Sequence, residues 1–419
     1  MKAVLIAVGS EMLTPFRVDT NSLVVTERLN AIGYDVRSKS VVGDDLEAVV
    51  SALRSAVGAV DLIVCTGGLG PTEDDVTRDA LAALLEVPLD MDEGILAGLH
   101  ARFAKRGMDM PGINRRQALV PREATVLPNP HGTAPGLWAE TSGTRIILLP
   151  GPPREMTPML DAVIRDRLGA PTGTPGLFRR ALRITGRTES DVDQIAQPIY
   201  GRWTTAGVPI STTILAVLGQ IELHLTVAAA SQSAADAALD PAVGELRRVL
   251  GDSVYSVDGR SLERVVGDLL LAAQWTIAVA ESCSGGLLAS RLTDVPGSSA
   301  YFDRGVVCYS NASKIGLLGV PEPAIQLHGA VSEPVAEEMA ARIRELADAS
   351  VGVGISGIAG PSGGTDAKPV GTVVVAACTS AERRVRTYRF AGAREQVKYQ
   401  ATQAALDLVR MMLVERSRS

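Results

Sequence analysis

The chain has 419 residues, 46% hydrophobic and 21% charged, with 41 Lys and Arg against 47 Asp and Glu for a formal charge of −6. That composition excludes a mainly disordered chain, and the mild acidic excess argues against nucleic acid as a partner, since phosphate backbones are bound through clustered Lys and Arg. Four scattered cysteines (Cys65, Cys283, Cys308, Cys378), with no Cys-x-x-Cys pair, suit reduced thiols better than a disulfide framework.

At about 150 residues per domain the length predicts roughly three domains. The opening MKAVLIAVGSE carries a short apolar run and reads as a buried first strand rather than a leader. Apolar runs elsewhere are cut by Gly, Pro or charge before reaching a membrane-spanning length, so a cytoplasmic chain with no membrane partner is expected. Ala3–Gly9, Tyr34–Val41 and Asp61–Cys65 read as strands, and Asn21–Ile32, Asp45–Val57 and Val76–Leu85 have helical apolar spacing. This alternation predicts an α/β domain with a doubly wound parallel sheet over 1–170, whose ligand edge carries GSE (9–11), TGGLGPTEDD (66–75) and, after strand Arg145–Leu149, PGPPREM (150–156). The turn-rich PTGTPG (171–176) predicts a boundary. A small α+β domain over 177–257 follows, with strand LFRRALRI, a helix from Glu189 to Tyr200, the alternating strand QIELHLTVAA and a helix Ala234–Leu250. A third, α/β domain over 261–415 opens on a helix capped at SLER (261–264), and Trp275–Ala280 reads as its first strand.

Four glycine-rich polar loops stand out in the third domain: AESCSGG (280–286), PGSSAYF (296–302), CYSNASK (308–314) and GISGIAGPSGG (354–364). In the first of these, Ser282, Ser284, Gly285 and Gly286 either cradle an anion on backbone N–H groups or cap a helix through Ser282 or Ser284. Lys314 falls at the third helical position if Asn311 is the N-cap. There the helix dipole disfavours an ammonium and favours the neutral amine that a general base requires. Bringing a lysine from about 10.4 to near 7 costs roughly 4–5 kcal/mol, more than one dipole supplies, so burial has to contribute. Ser298 or Ser299, in the turn before the strand leading to Lys314, supplies a nucleophile for serine–lysine hydrolysis. Cys283 is the rival nucleophile, with His328 as its base, although a small buried thiol is the simpler reading. Tyr309 either relays a proton or packs its ring.

In the first domain, TGGLGPTEDDVT (66–77) has neither a dinucleotide fingerprint nor a P-loop spacing, yet it follows a strand and suits phosphate recognition by Gly67, Gly68, Gly70 and Thr72. Glu11, Asp19, Asp74 and Asp75 fall near strand-end loops, where clustered carboxylates hold a divalent metal, or act singly as caps.

The C-terminal loops, with HGAVSE and KPVGTV, occur in the order found in the CinA family of competence- and damage-inducible proteins, which the chain resembles over nearly all of Ser261–Leu413. That resemblance implies a nicotinamide-nucleotide amidase converting nicotinamide mononucleotide to nicotinate mononucleotide and ammonia, without a cofactor. Ser299 matches the family nucleophile, Lys314 its catalytic lysine and Tyr309 an assisting tyrosine. Arg394 matches a family arginine that is assigned here to substrate binding, and Ser356, Gly357 and Gly360 either line the nucleotide or oxyanion site or, for the glycines, simply make tight turns. GSEML, VDTN (18–21), TGGLGPTEDDVT, GTAPG (132–136) and LPGPPREM resemble the family's molybdopterin-binding-like N-terminal domain. They imply metal-dependent cleavage of ADP-ribose in at least some members, with Asp75 the first choice of functional carboxylate. Pro15 and Phe16 depart from the family pattern next to Glu11. A homodimer is also implied. A protein that binds a nucleotide or molybdopterin-like ligand without turnover is the alternative of a different class.

Overall fold

The structure, a computed structural model, describes residues 1–169, 175–205 and 208–418, so most of the predicted boundary at 171–176 lies outside the described residues. The chain forms two units, Met1–Phe178 with Val227–Asp236, and Arg179–Thr226 with Ala237–Ser419.

The first unit contains β1 (Lys2–Val8), α1 (Asn21–Ala31), β2 (Asp35–Val42), α2 (Leu46–Ala56), β3 (Leu62–Thr66), α3 (Thr77–Leu85), β4 (Leu89–Met91), α4 (Glu93–Ala104), β5 (Leu119–Pro121), β6 (Thr125–Leu127), β7 (Gly136–Thr141), β8 (Thr144–Leu149) and α5 (Pro153–Val163). Its main sheet has the order β2-β1-β3-β8-β7-β6, with β2, β1, β3 and β8 parallel. Val25 and Leu29 of α1 and Met156, Met159 and Leu160 of α5 pack one face, while Val49 and Leu53 of α2 and Ala80 and Leu81 of α3 pack the other. The sheet is therefore doubly wound, and β3, covered on both faces, is an unbroken apolar run before Thr66. The antiparallel strands β6 and β7 were not anticipated. β7 turns into β8 through Ser142 and Gly143, both left-handed, which is the two-residue hairpin geometry that matches strand twist.

The second unit carries most of a four-stranded sheet of order β10-β11-β9-β12, built from β9 (Gly176–Ile184), α6 (Glu189–Thr205), β10 (Ile210–Val217), β11 (Gln220–Ala229), α7 (Gln232–Leu250) and β12 (Val254–Ser256). It continues through α8 (Leu262–Ala273), β13 (Ile277–Glu281), α9 (Leu287–Thr293), β14 (Phe302–Val307), α10 (Asn311–Leu318), α11 (Glu322–His328), α12 (Glu333–Ala347), β15 (Val351–Gly357), β16 (Thr372–Cys378), β17 (Arg383–Arg389) and α13 (Arg394–Arg418). The five-stranded sheet has the order β14-β13-β15-β16-β17, with the first three strands parallel and β16 and β17 antiparallel. Helices α8, α9 and α13 cover one face, and α12 lies on the other. Strands β13, β14 and β15 end on the same edge, where three of the four glycine-rich loops begin. No helix among the described residues is long and apolar enough to cross a membrane.

Candidate active site

The polar loop after β13 is organised by a residue that the sequence reading left unassigned. Glu281, fully buried at the end of β13, accepts hydrogen bonds from the backbone N–H groups of Gly286 (3.1 Å), Leu288 (3.0 Å) and Ala289 (2.8 Å). A carboxylate thus occupies the amide-rich start of α9 and replaces the expected serine cap, while Gly286 takes the N-cap position with φ 93°, a conformation that a side chain would strain. The expectation of free loop amides is corrected accordingly, since these three are already satisfied. Glu281 was legible as an acid directly before a Ser/Gly loop and a helix start. Ser284 is fully buried, and its Oγ has no hydrogen-bond partner among the described residues.

Lys314 is 1% exposed, and its Nζ donates to Ser282 Oγ at 3.0 Å, to the Cys308 carbonyl at 3.0 Å and to the Tyr309 carbonyl at 3.5 Å. Ser310, not Asn311, caps α10 through a reciprocal capping box with Ser313, so Lys314 falls one position deeper than expected, still within the first turn. Burial is the main cause that pushes the Lys314 ammonium below its ordinary value, and the smaller opposing influences come from the neighbouring Cys308 and Cys283 thiols. The nearby Cys283 thiol is 4% exposed, and burial pushes it up to about 12, which removes it as a thiolate nucleophile near neutral pH.

Ser299 does not join Lys314 within one chain, which corrects the expectation drawn from their nearness in sequence. Its short 3-10 turn, Ser298–Ala300, precedes β14 at the edge where Phe302 pairs with Ile277, whereas Ser282 and Cys308 follow the opposite ends of β13 and β14. At about 3.3 Å of rise per residue, the length of β14 separates the two by roughly 20 Å. Ser299 is exposed, and the hydroxyl touching the lysine belongs to Ser282, which is 7% exposed.

The other C-terminal expectations converge on the lysine's edge. Tyr309, 57% exposed, accepts at its hydroxyl from Arg394 Nη2 at 2.5 Å, and Arg394 Nη1 donates to the Gly360 carbonyl at 2.7 Å. A Cβ built on Gly357 would lie 2.9 Å from Cys283 Sγ, and one on Gly285 would lie 3.4 Å from Lys398 Nζ. Lys398 was missed by sequence reasoning, although its spacing of four from Arg394 puts both cations on one face of α13. The Ser356 hydroxyl is committed to the Ala330 carbonyl at 2.6 Å, so it braces the loop rather than offering a free group.

In the first unit a cavity of about 510 Å³ is lined by Glu11, Asn21, Gly67, Gly68, Gly70, Asp74, Asp75 and Glu155 among others, with Pro15 and Phe16 outside its lining. Phe16 is 88% exposed. A Cβ on Gly67 would lie 2.1 Å from the Val8 carbonyl, which accounts for glycine where the loop crosses β1. Asp75 accepts from Gly70 N (2.6 Å), Thr72 N (2.8 Å) and Thr72 Oγ1 (2.5 Å), so it shapes the loop with both oxygens. Asp19 accepts from Ser22 N at the start of α1. Among the described residues no three His, Cys, Asp or Glu side chains gather as a metal-holding group, so the expected clustering of Glu11, Asp19, Asp74 and Asp75 is not found. The donor set does not fit a metal centre of that kind. Asn21, unassigned in the sequence reading, lines the cavity with a buried Oδ1 that has no partner among the described residues.

Comparison with known proteins adds family matches across the chain: "Probable molybdopterin binding domain" over residues 4–170, "Damage-inducible protein CinA KH domain" over 179–256 and "CinA C-terminal domain" over 259–413. A CinA-like protein of Koribacter versatilis is 45% identical over 99% of this chain and 100% of its own length. Another, of Solibacter usitatus, is 42% identical over 100% of both. The crystal structure of a CinA protein from Thermoplasma acidophilum is 39% identical, covers 39% of this chain and 95% of its own, and superposes with a TM-score of 0.36.

Proposed function

Because the chain belongs to the CinA family, with a molybdopterin-binding-like N-terminal domain and a CinA C-terminal domain, we propose that the C-terminal domain hydrolyses the amide of nicotinamide mononucleotide to nicotinate mononucleotide and ammonia. The observation that carries this reading is the buried lysine biased toward its neutral form, with its amine 3.0 Å from a serine hydroxyl. Neutral Lys314 accepts the proton of Ser282, and Ser282 accepts that of an attacking serine. That serine's Oγ forms a bond to the carboxamide carbon. Collapse of the tetrahedral intermediate breaks the C–N bond, and the proton held on Lys314 returns through Ser282 to the leaving ammonia. Water then repeats the sequence on the acyl-enzyme, which releases the acid and restores both serines. Ser282 is too enclosed to embrace a nucleotide and suits a relay. The attacking hydroxyl is assigned to exposed Ser299, which has to reach Lys314 from outside its own protomer's site. Arg394 and Lys398, one turn apart at the start of α13, suit the nucleotide's phosphate.

Ammonia release from nicotinamide mononucleotide by the purified full chain tests the reading. Turnover that Lys314→Met abolishes is expected; no turnover by the wild type overturns it.

A second reading concerns the first unit, where the cavity and the unpartnered Asn21 Oδ1 favour a nucleotide-like ligand. Metal-dependent hydrolysis of ADP-ribose has no support there, because the carboxylates do not gather as a metal-holding group among the described residues. Titration of the full chain with ADP-ribose, monitored by calorimetry, tests binding, and Asn21→Leu should weaken it about tenfold.

A further inference from the structure

A further cavity of about 510 Å³ lies outside both sites described so far, and every residue lining it belongs to the second unit. Four segments wall it: the loop from β9 to α6, the turn from β10 to β11, strand β17 and helix α13. Alternation along β17 sends Arg386, Tyr388 and Phe390 to one face of the strand, and the two rings stack with centroids 5.3 Å apart and planes 11° from parallel. Gln400, Gln403, Ala404 and Asp407 recur at helical spacing along α13 on the opposite wall. Lys398, which borders the lysine site, is about 200° around the helix from Gln400, so the cavity and that site lie on opposite faces of α13. None of these cavity residues takes part in the proposed amidase chemistry.

The polar groups around the stacked rings are partly committed, and what remains of them defines a ligand. Gln220 Oε1 accepts from the Tyr255 hydroxyl and from Gln403 Nε2 (3.3 Å), and one Nε2 hydrogen goes to Glu222 (3.0 Å), which leaves that amide one donor. Gln400 donates from Nε2 to the carbonyls of Ala391 (3.0 Å) and Gln396 (3.2 Å), so its remaining capacity is the acceptor Oε1. Of the charged groups, Arg187 is held by Asp191 at 2.7 Å and Asp407 by Arg410 at 2.6 Å, while Arg386 is exposed and stands beside the Tyr388 hydroxyl. An aromatic wall, one donor, one acceptor and an exposed cation complement a heteroaromatic ring that has an acceptor and a donor on its own edge and an anion attached. Two stacked rings offer a platform longer than one six-membered ring, which favours a purine, and the volume suits a ligand of that size. We propose that this cavity is a nucleotide site in its own right, binding a purine mononucleotide with its base on the Tyr388–Phe390 pair, its edge between Gln220 and Gln400 and its phosphate at Arg386.

Photolabelling of the full chain with 8-azidoadenosine monophosphate tests this without reference to any activity. Cleavage at glutamate releases residues 383–395 as one peptide, and label is expected within 386–390 of it. A peptide without label, or label at Arg394 alone, which would put the nucleotide in the lysine site, overturns the proposal. Unlabelled adenosine monophosphate should protect the peptide, and ribose 5-phosphate, which has no base to stack, should not; equal protection by the two overturns the role of the aromatic pair. Arg386→Gln, at an exposed position, should raise the adenosine monophosphate concentration needed for half-protection about tenfold and leave protection by adenosine unchanged. An unchanged value for the nucleotide, or an equal loss for adenosine, overturns the phosphate's place at Arg386.

Discussion

A lysine amine wrapped by two backbone carbonyls and a serine hydroxyl is held by acceptors yet stripped of water, and for Lys314 the loss of water dominates. Its value lies below the ordinary 10.5, so the rising limb of the pH–rate profile for ammonia release should fall below that of a free lysine. Lys314→Arg, which keeps the charge but has no accessible neutral form, should lower kcat by about 10²–10⁴-fold across the pH range. Stability carries the same signature with a definite sign. Between the depressed folded value and 10.5 the unfolded chain binds more protons at this residue than the folded one does, so stability rises with pH through that window. Lys314→Met should therefore unfold at higher denaturant concentration than the wild type near neutrality, and the difference should shrink as the pH approaches 10.5. The sequence placed this residue in a first helical turn and called for burial. It could not show which hydroxyl the amine would touch, because Ser282 lies thirty-two positions away and is brought in by the parallel pairing of β13 with β14.

At the level of elements, the loop between β13 and α9 keeps its shape through Glu281. Glu281→Ala leaves three backbone N–H groups without their acceptor and should cost about 3 kcal/mol, read as a lower midpoint in urea unfolding, together with loss of the Ser282 relay. The alternation of apolar strands and helices made the doubly wound first sheet and the opening strand of the third domain readable, since β1, β3 and β13 are continuous apolar runs bounded by Gly, Asp or Glu. Strands such as β10 and β12 were not readable: β10 is largely exposed with an uneven apolar pattern, and β12 is three residues long. The separation of Ser299 from Lys314 was hidden for a related reason. Fifteen positions look short along a sequence, but six of them form an extended strand that carries the chain from one edge of a sheet to the other.

For the molecule as a whole, the lysine site is built from residues of the second unit and the glycine-loop cavity from residues of the first. Their readouts should be separable: Lys314→Met should abolish ammonia release while ADP-ribose titrates as before, and Asp75→Ala, which releases Gly70 and Thr72, should weaken the titration while ammonia release persists. Loss of both readouts in either variant would contradict that separation. The buried Glu281 gives the second site a polarity. The start of α9 is already met by the Glu281 side chain, so on the proposed amidase reading a nucleotide's phosphate is expected at Arg394 and Lys398 instead. On that reading a nucleoside without the phosphate would enter with nothing to tell it which way to face.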